Sequence, residues 1–262
     1  MGGFCFNLGG TNMNELNKAN RQTCDVDIRV LKTMKPYLFF DTANTTTAGL
    51  SADNTYAMAK GAKRVVFNNP LDGTMSVEAQ VYPFKLFAML SDGTIKADAI
   101  YADKQVVKAT AAGSLDLDVK NGEVKAGTVF AYPVGDYGND DAIIEGSFAD
   151  KKFTATESSK IEIGKEYEIG YLVSKTTGVK RISINNKEMP KDYYITQKTV
   201  EKDEDGVLTP FLMTAYKATI KRNLDLSFSS EGDPATVKLE FDLAEDKDGN
   251  VLDLIEITDE AE

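Results

Sequence analysis

Residues 223–243 constrain the fold more than any other part of the chain. Leu224, Leu226 and Phe228 alternate with Asn223, Asp225 and Ser227, and Val237, Leu239, Phe241 and Leu243 alternate with Thr236, Lys238, Glu240 and Asp242. A period of two over eight residues marks a strand with one buried face. Gly232, Pro234 and Gly249 punctuate the run with residues that suit turns and disfavour helix. The expected arrangement is an antiparallel meander: strand, turn EGDPA, strand, turn EDKDGN, and a last strand VLDLIEI. Nothing in it resembles an active site.

The same texture recurs upstream. Val26, Ile28 and Val30 share one face of a first strand, and KPYLFFD supplies a second short apolar run. Met75, Val77, Ala79 and Val81 alternate with Ser76, Glu78 and Gln80. Pro83 is placed as the first residue of a helix, with Phe84, Phe87 and Ala88 at i, i+3 and i+4; this short helix is expected to pack Phe84 and Phe87 across a sheet. From 94 to about 179 short strands arrive at close spacing (QVVKAT, SLDLDVK, GTVFAYPV, KFTAT, KEYEIGYLV, KRISIN), broken by Gly, Asn and Asp turns. That pattern reads as a sandwich or partly closed barrel. At 262 residues the chain is long enough for one large β domain or for a domain with an insertion. The division expected is a 1–22 arm, a β core from 23–99 and 180–262, and a strand-rich middle, 100–179, that reads as an inserted subdomain.

Two segments read as unstructured in the isolated chain. Residues 1–22 are polar and glycine-rich, with at best a short helix over 14–20, and TANTTTAGLSADN (42–54) reads as a long loop. Both lack the apolar residues to be held by their own chain, and both are expected to order only on contact with another copy.

Composition narrows the chemistry. The chain has no histidine, so Ser-His-Asp and Cys-His nucleophile activation and imidazole-bound zinc are excluded. With 41 acidic and 30 basic side chains the net charge is −11, which disfavours tight binding to a phosphate backbone over a large surface. No segment reaches the ~20 apolar residues of a membrane span. The N-terminal residues lack the basic start and apolar run of a signal peptide. Cys5 and Cys24 are expected to be free thiols.

No motif survives as a catalytic, cofactor-binding or metal site, and no such residue is singled out. EDKDGN offers Asp246, Asp248 and Asn250 as a calcium loop would, but its sixth position is Val251 and its twelfth Ile257, so it reads as a turn. LGGTN and GNDD lack the lysine and spacing of a phosphate loop. The basic clusters AKGAKR and ATIKRN read as a solvated face or as partners for an acidic neighbouring subunit.

Several stretches resemble the tail tube (major tail) proteins of long-tailed bacteriophages: KPYLFFDTANTT, KGAKRVVFNNPLDGTMSVEAQVYPFKLFAMLSDG, GKEYEIGYLV with GVKRISI, and SSEGDPATVKLEFDLAEDKDGNVLDL. The resemblance lies in the order of strand, strand, short helix, strand-rich middle and closing meander. It implies a mainly β protomer, a sandwich or half-barrel with a short flanking α-helix. Six such protomers would form a ring, and rings would stack into a hollow conduit for genome delivery into the host. The implied partners are further copies of the chain, a sheath if the tail contracts, the tape measure, the tail terminator and the baseplate. DNA would pass through the lumen without specific binding. The implied place is the virion tail, after synthesis in the host cytoplasm, with no membrane and no enzymatic activity. The alternatives are a surface-binding β-sandwich module or a capsid decoration protein.

Overall fold

The computed structural model describes residues 17–120, 122–226, 230–232 and 234–258. It divides into two compact units, one formed by residues Met1–Gly93 and Ile184–Glu262 and the other by Thr94–Ser183. The first unit opens with β1 (Lys18–Ala19), β2 (Asp25–Val30), β3 (Pro36–Phe40), β4 (Ala43–Ser51), β5 (Asn54–Ala59), β6 (Ala62–Asn68) and β7 (Asp72–Ala79). The second holds β8 (Ala99–Lys108), β9 (Ser114–Asp116), β10 (Glu123–Val124), β11 (Phe130–Pro133), β12 (Gly146–Ala149), β13 (Lys152–Ala155) and β14 (Glu166–Lys175). The chain then returns to the first unit as β15 (Asp192–Asp203), β16 (Leu208–Ile220), β17 (Val237–Ala244) and β18 (Leu252–Glu256). The fold is mainly β, as the alternation predicts.

In the first unit one antiparallel sheet runs β3-β2-β15-β16-β17-β7-β4, with β1 added to β15 and β18 to β16. Val26 and Ile28 from β2, Leu38 and Phe40 from β3, Met75 and Val77 from β7, Tyr193 and Ile195 from β15, and Leu239 and Phe241 from β17 meet in one buried cluster. A sheet whose opposite ends share a core must curl around it. The Cys24 amide, just before β2, donates to Thr46 Oγ1 on β4 (3.2 Å), tying the strand next to one end of the sheet to the strand at the other. Cys24 is a buried free thiol, its pKa raised by that burial; Cys5 lies outside the described residues.

The closing segment departs from a meander. β17 pairs with β7 on one side and with residues 217–220 of β16 on the other. β18 then pairs with residues 211–215 of the same strand, again antiparallel. The chain therefore does not reverse at EDKDGN. Residues 245–251 loop out and return to the same edge of β16. The Asp246 carboxylate closes this loop by accepting from the Asp248 and Asn250 amides at 2.9 Å, which lowers its pKa. Turn residues pinch the chain, but they do not dictate which strand receives it. Upstream, Leu224 is half-buried against the core and Leu226 is 46% exposed; neither lies in a strand, and Phe228 lies outside the described residues.

The short helix forms at Phe84–Leu90, directly after Pro83, and winds as a 3₁₀ helix with Leu86 N–H donating to Pro83 C=O (2.9 Å). Three residues per turn put Leu86 and Met89 in register, and these, with Leu90, are what the core buries. Phe84 is 43% exposed, and Phe87 is half-buried, its ring 5.5 Å from that of Tyr82. The expectation that Phe84 and Phe87 face the sheet used the α-helical period: Phe87 does pack against the core, but only partly, and Phe84 does not. Leu86→Ala should cost about 2–5 kcal/mol in denaturant unfolding, and Phe84→Ala under about 1 kcal/mol.

Residues expected to be unstructured are paired with their own chain where they are described. Thr-rich β4 runs alongside β7 from Ala43↔Ala79 to Ser51↔Asp72, and Thr47 Oγ1 lies 2.7 Å from Ser76 Oγ. Threonine suits a pleated, half-covered surface, so the ladder holds a strand that carries little apolar burial. In the arm, Lys18–Ala19 pairs with Lys202 and Asp203, and Asn20 Nδ2 donates to Thr199 Oγ1 (2.8 Å). Of the helix expected over 14–20, the described part holds the strand Lys18–Ala19 instead, and residues 1–16 lie outside the described residues.

The second unit packs a four-stranded sheet, with β14 at its centre beside β8, β10 and β11, onto the sheet β12-β13-β9. Tyr167, Ile169, Tyr171 and Val173 alternate inward from β14 and meet Leu115, Leu117 and Phe153 in a second core. The expected strand KRISIN is absent, and only Arg181 bridges to Lys96.

Candidate assembly surface

The β4–β7 pair does not stop at the margin of the sheet. Beyond Ser51↔Asp72 the two chain segments continue as β5 and β6, paired from Asn54↔Asn68 to Ala59↔Ala62. Lys60 (φ 51) and Gly61 (φ 78) form the two-residue turn. Both central residues in the left-handed region match the turn that follows a hairpin's twist. Six pairs at ~3.3 Å per residue make a ribbon about 20 Å long.

Every residue of β5 and β6 is exposed. Yet Tyr56, Met58, Val65, Val66 and Phe67 are large apolar or aromatic side chains. Cross-strand pairing puts Tyr56 beside Val66 on one face, and Ala57 beside Val65 and Thr55 beside Phe67 on the other. Both faces of the ribbon are therefore apolar and wet. A lone two-stranded hairpin is marginal in water, and exposed apolar patches of this kind mark contact sites. From Asn54 to Leu71 there are three basic residues, Lys60, Lys63 and Arg64, and no acidic one, in a chain whose net charge is −11. The ribbon is thus complementary in charge to the body of another copy. Lys63 Nζ sits 3.6 Å from the Tyr56 ring centroid.

The edges of the sheet are equally unguarded. β4 at one end, ANTTTAGLS, and β3 at the other, PYLFF, contain no charged residue. Among the described residues nothing pairs with their outer edges. Proteins that keep such edges monomeric place lysine, proline or a covering loop there; here proline stands only at the first position of β3. On the outer face, Phe39 and Met34 lie exposed beside a cleft of about 500 Å³ lined also by Asp25, Asp27 and Leu212. The sequence marked AKGAKR as basic and 42–54 as an interface, but only the structure shows the basic residues at the tip of an apolar ribbon and the Thr-rich segment at a sheet edge.

A protomer whose sheet edges and apolar ribbon are uncovered among the described residues has the surface of a structural β protein that assembles. Within that class the chain belongs to the YomU/Tube protein family, whose family model matches residues 21–257, and it is a phage tail tube protein. No curated protein matches the chain.

Proposed function

We propose that copies of this chain join side by side through the edges of the first unit's sheet, β4 of one copy beside β3 of the next, into a closed ring. Six copies per ring is the number implied by the tail tube proteins it resembles. The uncharged edges carry this reading, because ring closure removes both of them at once. Rings stack through the β5–β6 ribbon, which buries its apolar faces and sets its basic tip against an acidic neighbour. The stacked rings form the hollow conduit through which the genome passes into the host, and acidic walls let DNA slide without being held. Further tail components, a sheath if the tail contracts, the tape measure, the terminator and the baseplate, engage the outside, the lumen and the two ends.

A proline scan through Thr45, Thr46 and Thr47 tests the edge. Alternate amides of β4 point towards β7 and away from it. Proline at a position whose N–H points away should leave the protomer folded, with circular dichroism and unfolding midpoint close to the parent, and abolish rings. Rings of normal size from every scanned variant would overturn the edge-to-edge contact.

A further inference from the structure

The second unit breaks its own pattern at one end. In a sandwich the inward face of each sheet is apolar, and β14 obeys with Tyr167, Ile169, Tyr171 and Val173. Its neighbour β8 does not. Tyr101, Asp103 and Gln105 sit at alternate positions on the same inward face, opposite Val173, Tyr171 and Ile169. Residues 118–120 form the facing wall, leaving an open cleft of about 390 Å³. Tyr101 and Asp103 stay exposed on this row and Gln105 is only half-buried, so the face opens to solvent where a sandwich would close it, and such departures from pattern concentrate at functional sites.

The cleft is organised. Tyr171 hydroxyl donates to Asp103 Oδ2 (3.2 Å) and accepts from Gln105 Nε2 (2.7 Å), which also donates to the Asp118 carbonyl (2.8 Å). The Asp103 amide neighbour, Lys104 N–H, donates to Asp103 Oδ1 (2.9 Å) and fixes the carboxylate. Burial, and then the Asp103 charge, push the Tyr171 phenol up to about 12, so it stays protonated and remains a donor. Tyr101, 37% exposed, offers a ring face at the mouth, with Lys175 Nζ 5.8 Å from its centroid.

We propose that this cleft is a binding site for a neutral saccharide. An exposed tyrosine ring packs against the C–H face of a pyranose, and a fixed carboxylate accepts from its hydroxyls. Two carboxylates, Asp103 and Asp118, are balanced by two ammonium groups, Lys120 and Lys175, so the cleft favours neither an anion nor a cation. Its volume lies in the range of small-ligand sites, at the lower end. Every residue in the site belongs to the second unit, whereas the proposed ring contacts are made by the first.

Saturation-transfer NMR on the full chain, with glucose, galactose, N-acetylglucosamine, cellobiose, lactose and N,N′-diacetylchitobiose as probes, tests it. At least one probe should bind saturably with Kd on the order of 1 mM or tighter. Tyr101→Ala and Asp103→Asn should each weaken that binding about tenfold or more, and Tyr137→Ala, whose phenol lies over Gly170 on the opposite face, should leave it unchanged. All three variants should form the same assemblies as the parent, which separates failure here from failure of the tube reading. The proposal is overturned if no probe saturates, if a sugar phosphate is preferred to its neutral parent, or if binding survives both Tyr101→Ala and Asp103→Asn.

Discussion

Phe241→Ala is expected to destabilise the first unit by about 3–5 kcal/mol while leaving the second unit's transition in place. Phe241 is fully buried, and its backbone lies between two ladders, opposite Ile220 of β16 and Met75 of β7. Truncation removes the ring from the cluster where β2, β7, β15 and β17 meet, and flanking strands paired on both sides leave little room for collapse. Because a domain holds only about 5–15 kcal/mol in total, the loss is a large share of it. Urea unfolding followed by hydrogen exchange at amides of both units reads the two separately. A loss below about 1 kcal/mol, or an equal loss of protection in the second unit, would show that Phe241 does not anchor a separate core.

The second large effect falls on assembly alone. Val66→Glu with Phe67→Glu places one carboxylate on each face of the β5–β6 ribbon, since adjacent residues of a strand point to opposite sides. Both side chains are more than half exposed in the protomer, so each change should shift stability by no more than ~0.5 kcal/mol. Stacking should be lost, because the buried contact would carry unpaired charge and two carboxylates would offset most of the ribbon's positive charge. Sedimentation should show tubes replaced by protomers or single rings. Tubes of normal length from the double variant would mean that the ribbon stays in solvent after assembly.

How much of this was legible in the sequence depends on what held each element. β7, β14 and β17 have one apolar face and one polar face, so a period of two reveals them directly. β4 has almost no apolar face; hydrogen bonds to β7 and the Thr47–Ser76 contact hold it, and a hydrophobic pattern cannot report that. Its three successive threonines were a usable β signal. At the helix the apolar residues were visible but the period was not: seven residues fit both 3.6 and 3.0 per turn, and the 3.0 period buries Leu86 and Met89 and leaves Phe84 exposed. The return of β18 to β16 depends on a partner more than thirty residues away, and a local turn motif carries no information about it. Of the candidate assembly surface, the basic residues at 60–64 and the Thr-rich segment were visible one by one. That they form the tip and edge of one ribbon follows only from the β4–β7 and β5–β6 pairings.

Electron microscopy of the purified full chain tests the central claim most directly. The account predicts closed rings with an open channel, stacking into hollow tubes as concentration rises, with the first unit's sheet continuous from one protomer to the next. Monodisperse monomers at every concentration, or oligomers in which the outer edges of β3 and β4 remain in solvent, would contradict it.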